Sequence, residues 1–166
     1  MPQQSILAGA HIVNGLVPAA DRFASSGVTD RISMANYGRI TFIIHTGDAT
    51  GGTANGTVTL NAYAAASGGS ATALAFKYQV CASSTTVDTW GALTDATSSG
   101  FSMTAGDNYI YVVTITADDL AAQIDGKPFV ELTVTEVSND PIVAGVLAFL
   151  DHPRYGGEEV PQTAIA

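Results

Sequence analysis

The residue types that most often carry chemistry are few and scattered here. Three histidines, His11, His45 and His152, fall in three separate segments and share no metal-ligand spacing. His45 sits on the polar side of an alternating stretch, as a surface or interface histidine would. Asp118 and Asp119 are adjacent carboxylates, but they open a short helical pattern, where acids favour the positive end of the helix dipole. A glycosidase pair would need a second carboxylate at fixed separation and an aromatic-lined cleft, and Trp90 is the one tryptophan. Asp48, Asp107 and Asn108 could chelate calcium, yet acids and amides in turns are explained by local hydrogen bonding. Asn55-Gly56-Thr57 fits a glycosylation acceptor and fits better a hairpin turn leading into a strand. Cys81, the single cysteine, lies in an apolar-alternating stretch and reads as a small core thiol rather than a nucleophile; it can form no internal disulfide. No nucleophile elbow, Walker loop or dinucleotide glycine motif is present. Catalytic residues, metal ligands and cofactor-binding residues are therefore all expected to be none.

Charge narrows the partners. Fifteen acids against six bases give a net charge of −9, and no basic run exists. A phosphate backbone requires Lys and Arg, so no nucleic-acid partner is expected. Only 13% of the residues are charged, about half the usual share. Thr, Ser, Ala and Gly take their place, a mix suited to strands and to surfaces covered by other chains. No apolar run approaches the ~18 residues of a membrane helix, so no membrane partner is expected. Met1-Pro2-Gln3-Gln4 has no basic start, and no cleaved export signal is expected.

Such residues must be held by strands, because the dominant pattern has period two. Ile40, Phe42 and Ile44 alternate over 39–46. Val58, Leu60, Ala62 and Ala64 alternate over 57–64, and Leu74, Phe76, Tyr78 and Val80 over 72–80. Tyr111, Val113 and Ile115 do so over 109–116, and Val130, Leu132 and Val134 over 129–137. Weaker strands are expected near 87–93 and 100–104. Gly- and Asn-rich turns separate them. Thr116 can cap a short helix over Ala117 to Ala122, a crossover between two strands. Strands at this spacing form an antiparallel sandwich or barrel.

Two regions break the pattern. Ile142 to Leu150 is apolar throughout, which predicts a strand covered on both faces, either under a loop or in a subunit interface. Residues 1–35 and 153–166 lack a sustained period and could be arms lying on neighbours or frayed ends. The expected division is an N-terminal extension over 1–35, a sandwich over 36–152 and a tail over 153–166.

The second half resembles small virion structural proteins of tailed phages and prophages. The resemblance is carried by an ordered set: the strand from Tyr109, the crossover ending at Leu120, the strand Phe129 to Val134, the strand Ala144 to Leu150, and Pro153-Arg154-Tyr155. The strands starting near Thr57 and Leu74 fit the same order, so the likeness covers roughly 57–156. It implies a head decoration, or cement, subunit bound outside a capsid and made in the bacterial host cytoplasm.

The fold expected is thus all-β: an antiparallel, jelly-roll-like sandwich with one short crossover helix and extended terminal arms. The partners expected are the chain itself, as a homotrimer, and a major capsid protein. Val143, Val146, Leu147 and Phe149 are expected to carry self-association, and Ile6, Leu7, Ile12 and Val13 to anchor the arm. Two alternatives remain: a tail or fibre adaptor, and a carbohydrate-binding sandwich using Tyr63, Trp90 and Tyr109.

Overall fold

A computed structural model describes residues 9–49, 56–82, 86–137, 141–154 and 165. The chain is all-β, with two antiparallel sheets and one short helix. The first sheet runs β1 (Ala10–Ala19), β12 (Ile142–Pro153), β4 (Tyr37–Ala49), β10 (Ile110–Thr116), β7 (Phe76–Cys81), β8 (Thr94–Ala96). The second runs β2 (Gly27–Val28), β11 (Phe129–Glu136), β5 (Gly56–Tyr63), β6 (Thr72–Leu74), with β3 (Ile32–Ser33) also on β11 and β9 (Phe101–Ser102) also on β5.

Alternation decides which side chains meet between the sheets. Ile40, Phe42, Ile44, Tyr111, Val113 and Ile115 point inward from the first sheet, and Val58, Leu60, Val130, Leu132 and Val134 from the second. All are buried in one continuous core. Successive strand residues face opposite ways, so a single register fixes the whole inner surface. At one end, Phe101 from β9 stacks on Tyr78 from β7, with ring centroids 3.9 Å apart. It also packs edge-on to Phe76. This aromatic contact ties the two sheets together. Cys81 is buried, but on the outer side of the first sheet: it lies opposite Ile110, beneath the segment that carries Val87 and Trp90, and not in the core expected for it.

The stretch expected as one strand over 72–80 is two strands in different sheets. Between them, at Ala75, the chain crosses from the second sheet to the first. The Gln123 amide holds the crossing: its Oε1 accepts from Ala75 N at 2.7 Å and its Nε2 donates to Ala75 O at 2.9 Å. A side chain here supplies the hydrogen bonds that a neighbouring strand would have given. Gln123 ends α1 (Ala117–Gln123), whose N-cap Thr116 accepts from Asp119 N at 3.0 Å. That helix links β10 in one sheet to β11 in the other, as the crossover expectation required. No strand forms over 87–93 among the described residues; the segment lies on β7 through an isolated bridge between Cys81 and Trp90 and hydrogen bonds from Gly91 N to Val80 O and from Gln79 Nε2 to Gly91 O.

Residues 10–35, expected as an extension outside the sandwich, are woven into both sheets. β1 forms one margin of the first sheet, and β2 and β3 lie on β11. Thr29 fastens this segment: its N–H donates to Leu132 O and its Oγ1 accepts from Leu132 N, both at 3.0 Å. Two register shifts in β1, past Asn14 and past Leu16, break its alternation, so the sequence shows no sustained period there. Ile165 bridges to Ile32, so the far end of the chain also meets the second sheet.

Candidate interaction surface

β12 is the element on which the outer face of the first sheet is built. Its burial alternates despite its uniformly apolar sequence. Ile142, Ala144, Val146, Ala148 and Leu150 face the core; Val143, Gly145, Leu147 and Phe149 face outward. Of the two covers expected for this strand, the loop is corrected: within the single chain Val143 and Leu147 are 44% and 48% exposed. The strand is central, between β1 and β4, but only its inner face meets the other sheet.

This sorts the expected association residues. Val143 and Leu147 stand in solvent and Phe149 is half-buried on the same side. Val146 is 1% exposed and belongs to the core, so its assignment to self-association is corrected. Val13 is likewise buried, opposite Ala148, and cannot anchor an arm, whereas Ile12 is 44% exposed opposite Phe149. Ile6 and Leu7 lie outside the described residues, as does Tyr155.

Register extends the surface across four strands. Ile12, Phe149, Thr41 and Thr114 form one transverse row; Asn14, Leu147, Ile43 and Val112 form the next. Thr41 and Thr114 satisfy each other across the row, with hydroxyls 3.2 Å apart, and Thr114 also donates to Ile40 O. A shallow groove of about 260 Å³ crosses the face beside β12, lined by Asn14, Pro18, Ile43, His45, Val143 and Leu147. Gly145 leaves its floor open, because a Cβ there would come within 2.8 Å of Pro18 Cγ. Sequence reasoning missed Ile43, Ile110 and Val112 as members of this surface. Ile43 is the apolar exception on the outer side of β4, and Ile110 and Val112 share the outer side of β10 with two threonines; those apolar residues were the available signal.

Charge on this face is confined to its two ends. At one end Arg39 Nε donates to Asp151 Oδ1 at 2.9 Å, and its Nη2 reaches Asp151 Oδ2, a two-pronged contact between facing residues of β4 and β12. Burial pushes the Asp151 carboxyl upward, but hydrogen bonds from Arg39 and His152 outweigh it and hold the group below its usual range. At the other end Lys77 pairs with Asp95. Between these pairs the face is uncharged.

The remaining candidates serve the fold. Asp107 Oδ1 accepts from Ala49 N at 2.7 Å, and Asn108 Nδ2 donates to Asp48 Oδ1 at 3.4 Å, so these turn residues brace the β4–β10 end. Among the described residues, no three His, Cys, Asp or Glu side chains gather as a metal site. His11 stacks on Tyr37, His45 is exposed on β4, and His152 contacts Asp151, so the structure does not bring the three together. Asp118 and Asp119 lie in the first turn of α1. The aromatic residues considered for sugar binding are dispersed. Tyr63 is covered by the Arg31 guanidinium, 3.4 Å from its ring centre; Tyr109 stacks on Tyr111; Trp90 stands alone and half-exposed. A second cleft, of about 310 Å³, lies between α1 and the chain after β3. Of the cations at its rim, Lys127 donates to Ser70 O and Thr72 Oγ1, and Arg154 donates to Tyr37 O.

No family model matches the sequence, and no curated protein matches it. Among solved structures, one entitled "Crystal structure of SPBc2 prophage-derived protein YomS" aligns over 86% of this chain and 93% of its own, at 14% identity and a TM-score of 0.44. That likeness is too slight to bear on what the present chain does.

Proposed function

We propose that this chain is a structural subunit of a tailed-phage virion, attached to the outside of the head as a decoration protein. The observation that carries this reading is the outer face of the first sheet: a neutral, apolar surface on a chain of net charge −9. Ile12, Val143 and Leu147 are each nearly half-exposed there, on one side of one sheet. Contiguous exposed apolar surface of this kind marks a site of contact with another chain. Completing the burial of such a side chain is worth about 1 kcal/mol, half of the full value for an aliphatic residue. Repetition over many copies on a lattice turns that modest gain into firm attachment. The ordered strand and crossover set over roughly 57–156 supplies the virion context by resemblance. Val143, Leu147, Phe149 and Ile12 carry the contacts in this reading, to sister copies and to a major capsid protein.

Mixing the purified protein with undecorated phage shells and imaging them tests the role. Added density on the outer lattice is expected, and it should vanish with Leu147→Asp. Bare shells, with the protein found instead on tails or fibres, would move the subunit to the adaptor position. Binding to neither would overturn the virion reading.

A further inference from the structure

β12, β4 and β10 are interior strands of the first sheet, paired on both sides, so no partner can add to them by strand pairing. What they present outward is side chains alone: Val143 and Leu147, Ile43 and His45, Ile110 and Val112. Two raised walls flank this floor. On one side the Pro18 ring stands over Gly145, where a Cβ would come within 2.8 Å of Pro18 Cγ. On the other, the segment carrying Val87 and Trp90 lies over β7, with Cys81 Sγ donating to Val87 O at 3.6 Å and Gln79 Nε2 to Gly91 O at 3.1 Å. Register places Gly145, His45, Ile110 and Cys81 in one transverse row. The walls therefore stand three strand spacings apart, about 14 Å. Lengthwise the floor runs along β4 from Thr41 to Gly47, about 20 Å.

A trough of this shape takes a helix. An α-helix is about 10–12 Å across and makes its backbone hydrogen bonds internally, so it can lie on an aliphatic floor without unpaired polar groups. An extended segment would leave N–H and C=O groups facing Leu147 and Val112, and the walls would hold off a flat sheet. Charge selects the polar side of that helix. All six lysines and arginines lie among the described residues, and each donates within the chain. Around the Gly47 end of the trough stand Asp48, Asp88 beside Val87, and Asp107, which accepts from Ala49 N; Arg22, on that side, has Asp21 as its neighbour. Around the Thr41 end, Asp119 borders the same pocket as the Lys77–Asp95 pair. The rim is thus net negative at both ends. A second copy would bring the same acids and be repelled, as would an acidic helix, whereas a basic one is drawn in. We infer that the trough seats an amphipathic helix of a partner protein, about three to four turns long, with aliphatic residues on Leu147, Ile43 and Val112 and lysines or arginines along its flanks. The inference rests on the reading of this chain as a subunit docked on a capsid protein, and it gives the trough to that protein rather than to a sister copy.

Two synthetic helices of about 14 residues serve as probes of the full chain, each with leucines on one face and either lysines or glutamates on the other. By fluorescence anisotropy the leucine–lysine helix should bind and the leucine–glutamate helix should not. Leu147→Asp should weaken binding about tenfold although it adds a negative charge, which separates docking in the trough from diffuse attraction to an acidic protein. Asp88→Lys, outside the sheets, should weaken it as well, and more at low salt than at high. A scrambled lysine peptide that binds as tightly as the helix overturns the inference. So do equal binding of the glutamate helix, an unaltered affinity in Leu147→Asp, or no binding at all. A wild-type dimer by light scattering that Leu147→Asp dissolves would make a second copy the occupant and overturn it too. Peptide binding by a chain that leaves phage shells bare would defeat the virion role and keep the trough. Decorated shells without peptide binding would do the reverse.

Discussion

The two sheets of the sandwich share one core and present opposite kinds of outer surface. On the second sheet, β5 and β11 bring Thr57 opposite Thr135, Thr59 opposite Thr133 and Asn61 opposite Glu131. Past that ladder, Arg31 lies over Tyr63, donates to Glu131 Oε2 at 3.4 Å and reaches Ala65 O and Gly68 O. The Tyr63 hydroxyl completes the cluster, donating to Glu131 Oε1 at 2.8 Å. That surface is mostly polar, its charged side chains paired within the monomer, with Val28, opposite Thr133, as its exposed aliphatic residue. The first sheet offers Ile12, Ile43, Val112, Val143, Leu147 and Phe149 at the equivalent outward positions. Inward residues decide that the chain is a sandwich. Outward residues, which the core does not constrain, decide which side of it is left for other molecules.

The largest effect that can break this contrast comes from two neighbouring residues on opposite faces of β12. Val146→Asp places a carboxylate in the core, at a side chain 1% exposed. It should cost about 3–5 kcal/mol, combining lost apolar burial with an unpaired buried charge. Leu147→Asp, one residue along, should shift the urea midpoint by less than about 0.5 kcal/mol and act on association instead. If both variants unfolded alike, β12 would be covered on its two faces and the contrast between the sheets would disappear.

Next in size is a pH effect confined to the inner side. Tyr111 is 1% exposed, and its hydroxyl exchanges hydrogen bonds with Thr104, accepting from N at 3.1 Å and donating to O at 3.2 Å. Burial pushes the phenol up to about 12 from its ordinary 10.0. A raised pKa stabilises the fold fully below the unfolded value, and the benefit is lost as pH rises through the folded value. Stability should therefore fall by about 2–3 kcal/mol between roughly pH 10 and 12 through this group. Unfolding midpoints across that range should show a weaker slope in Tyr111→Phe than in the wild type. Equal slopes would mean that the buried phenol is not what titrates.

How much of this was legible depended on whether chemistry and geometry agreed at each position. Along β4, β5, β10 and β11, apolar and polar residues alternate, so the inner face could be read directly. The Thr116 cap and the acids after it marked α1 in the same way. β12 defeated the method, because Val146 and Leu147 are both aliphatic and composition cannot say which turns inward. β1 defeated it differently: its register shifts carry both Val13 and Leu16 inward, three residues apart, which no period-two pattern contains. The crossing at Ala75 was invisible because Leu74, Phe76 and Tyr78 keep alternating while the chain changes sheets. What holds that crossing is Gln123, 48 residues away.

That crossing gives the next smaller effect. Gln123→Ala leaves Ala75 N and O without their protein partners, in a half-buried position that water can reach. A cost of about 1 kcal/mol is expected by thermal or urea unfolding, with Gln123→Glu recovering only the accepting half. A neutral result would show that β6 and β7 hold their separate sheets without the amide.

The smallest effect concerns the charge pairs that keep the outer face of the first sheet neutral. Asp151 is held below its ordinary 3.8 because Arg39 and His152 outweigh the opposing effect of burial. A lowered carboxylate pKa adds stability above the unfolded value, and that increment disappears as pH falls through the folded value. Arg39 is 42% exposed, so solvent screens the pair and Asp151→Asn should cost about 0.5–1 kcal/mol near neutral pH. Every other carboxylate also titrates in acid, so the informative quantity is the difference between wild type and variant. That difference should shrink towards zero as the pH falls through the lowered folded-state pKa and the wild-type carboxyl is itself protonated. A difference that persists in acid would trace the loss to packing beside Gly38 and His152.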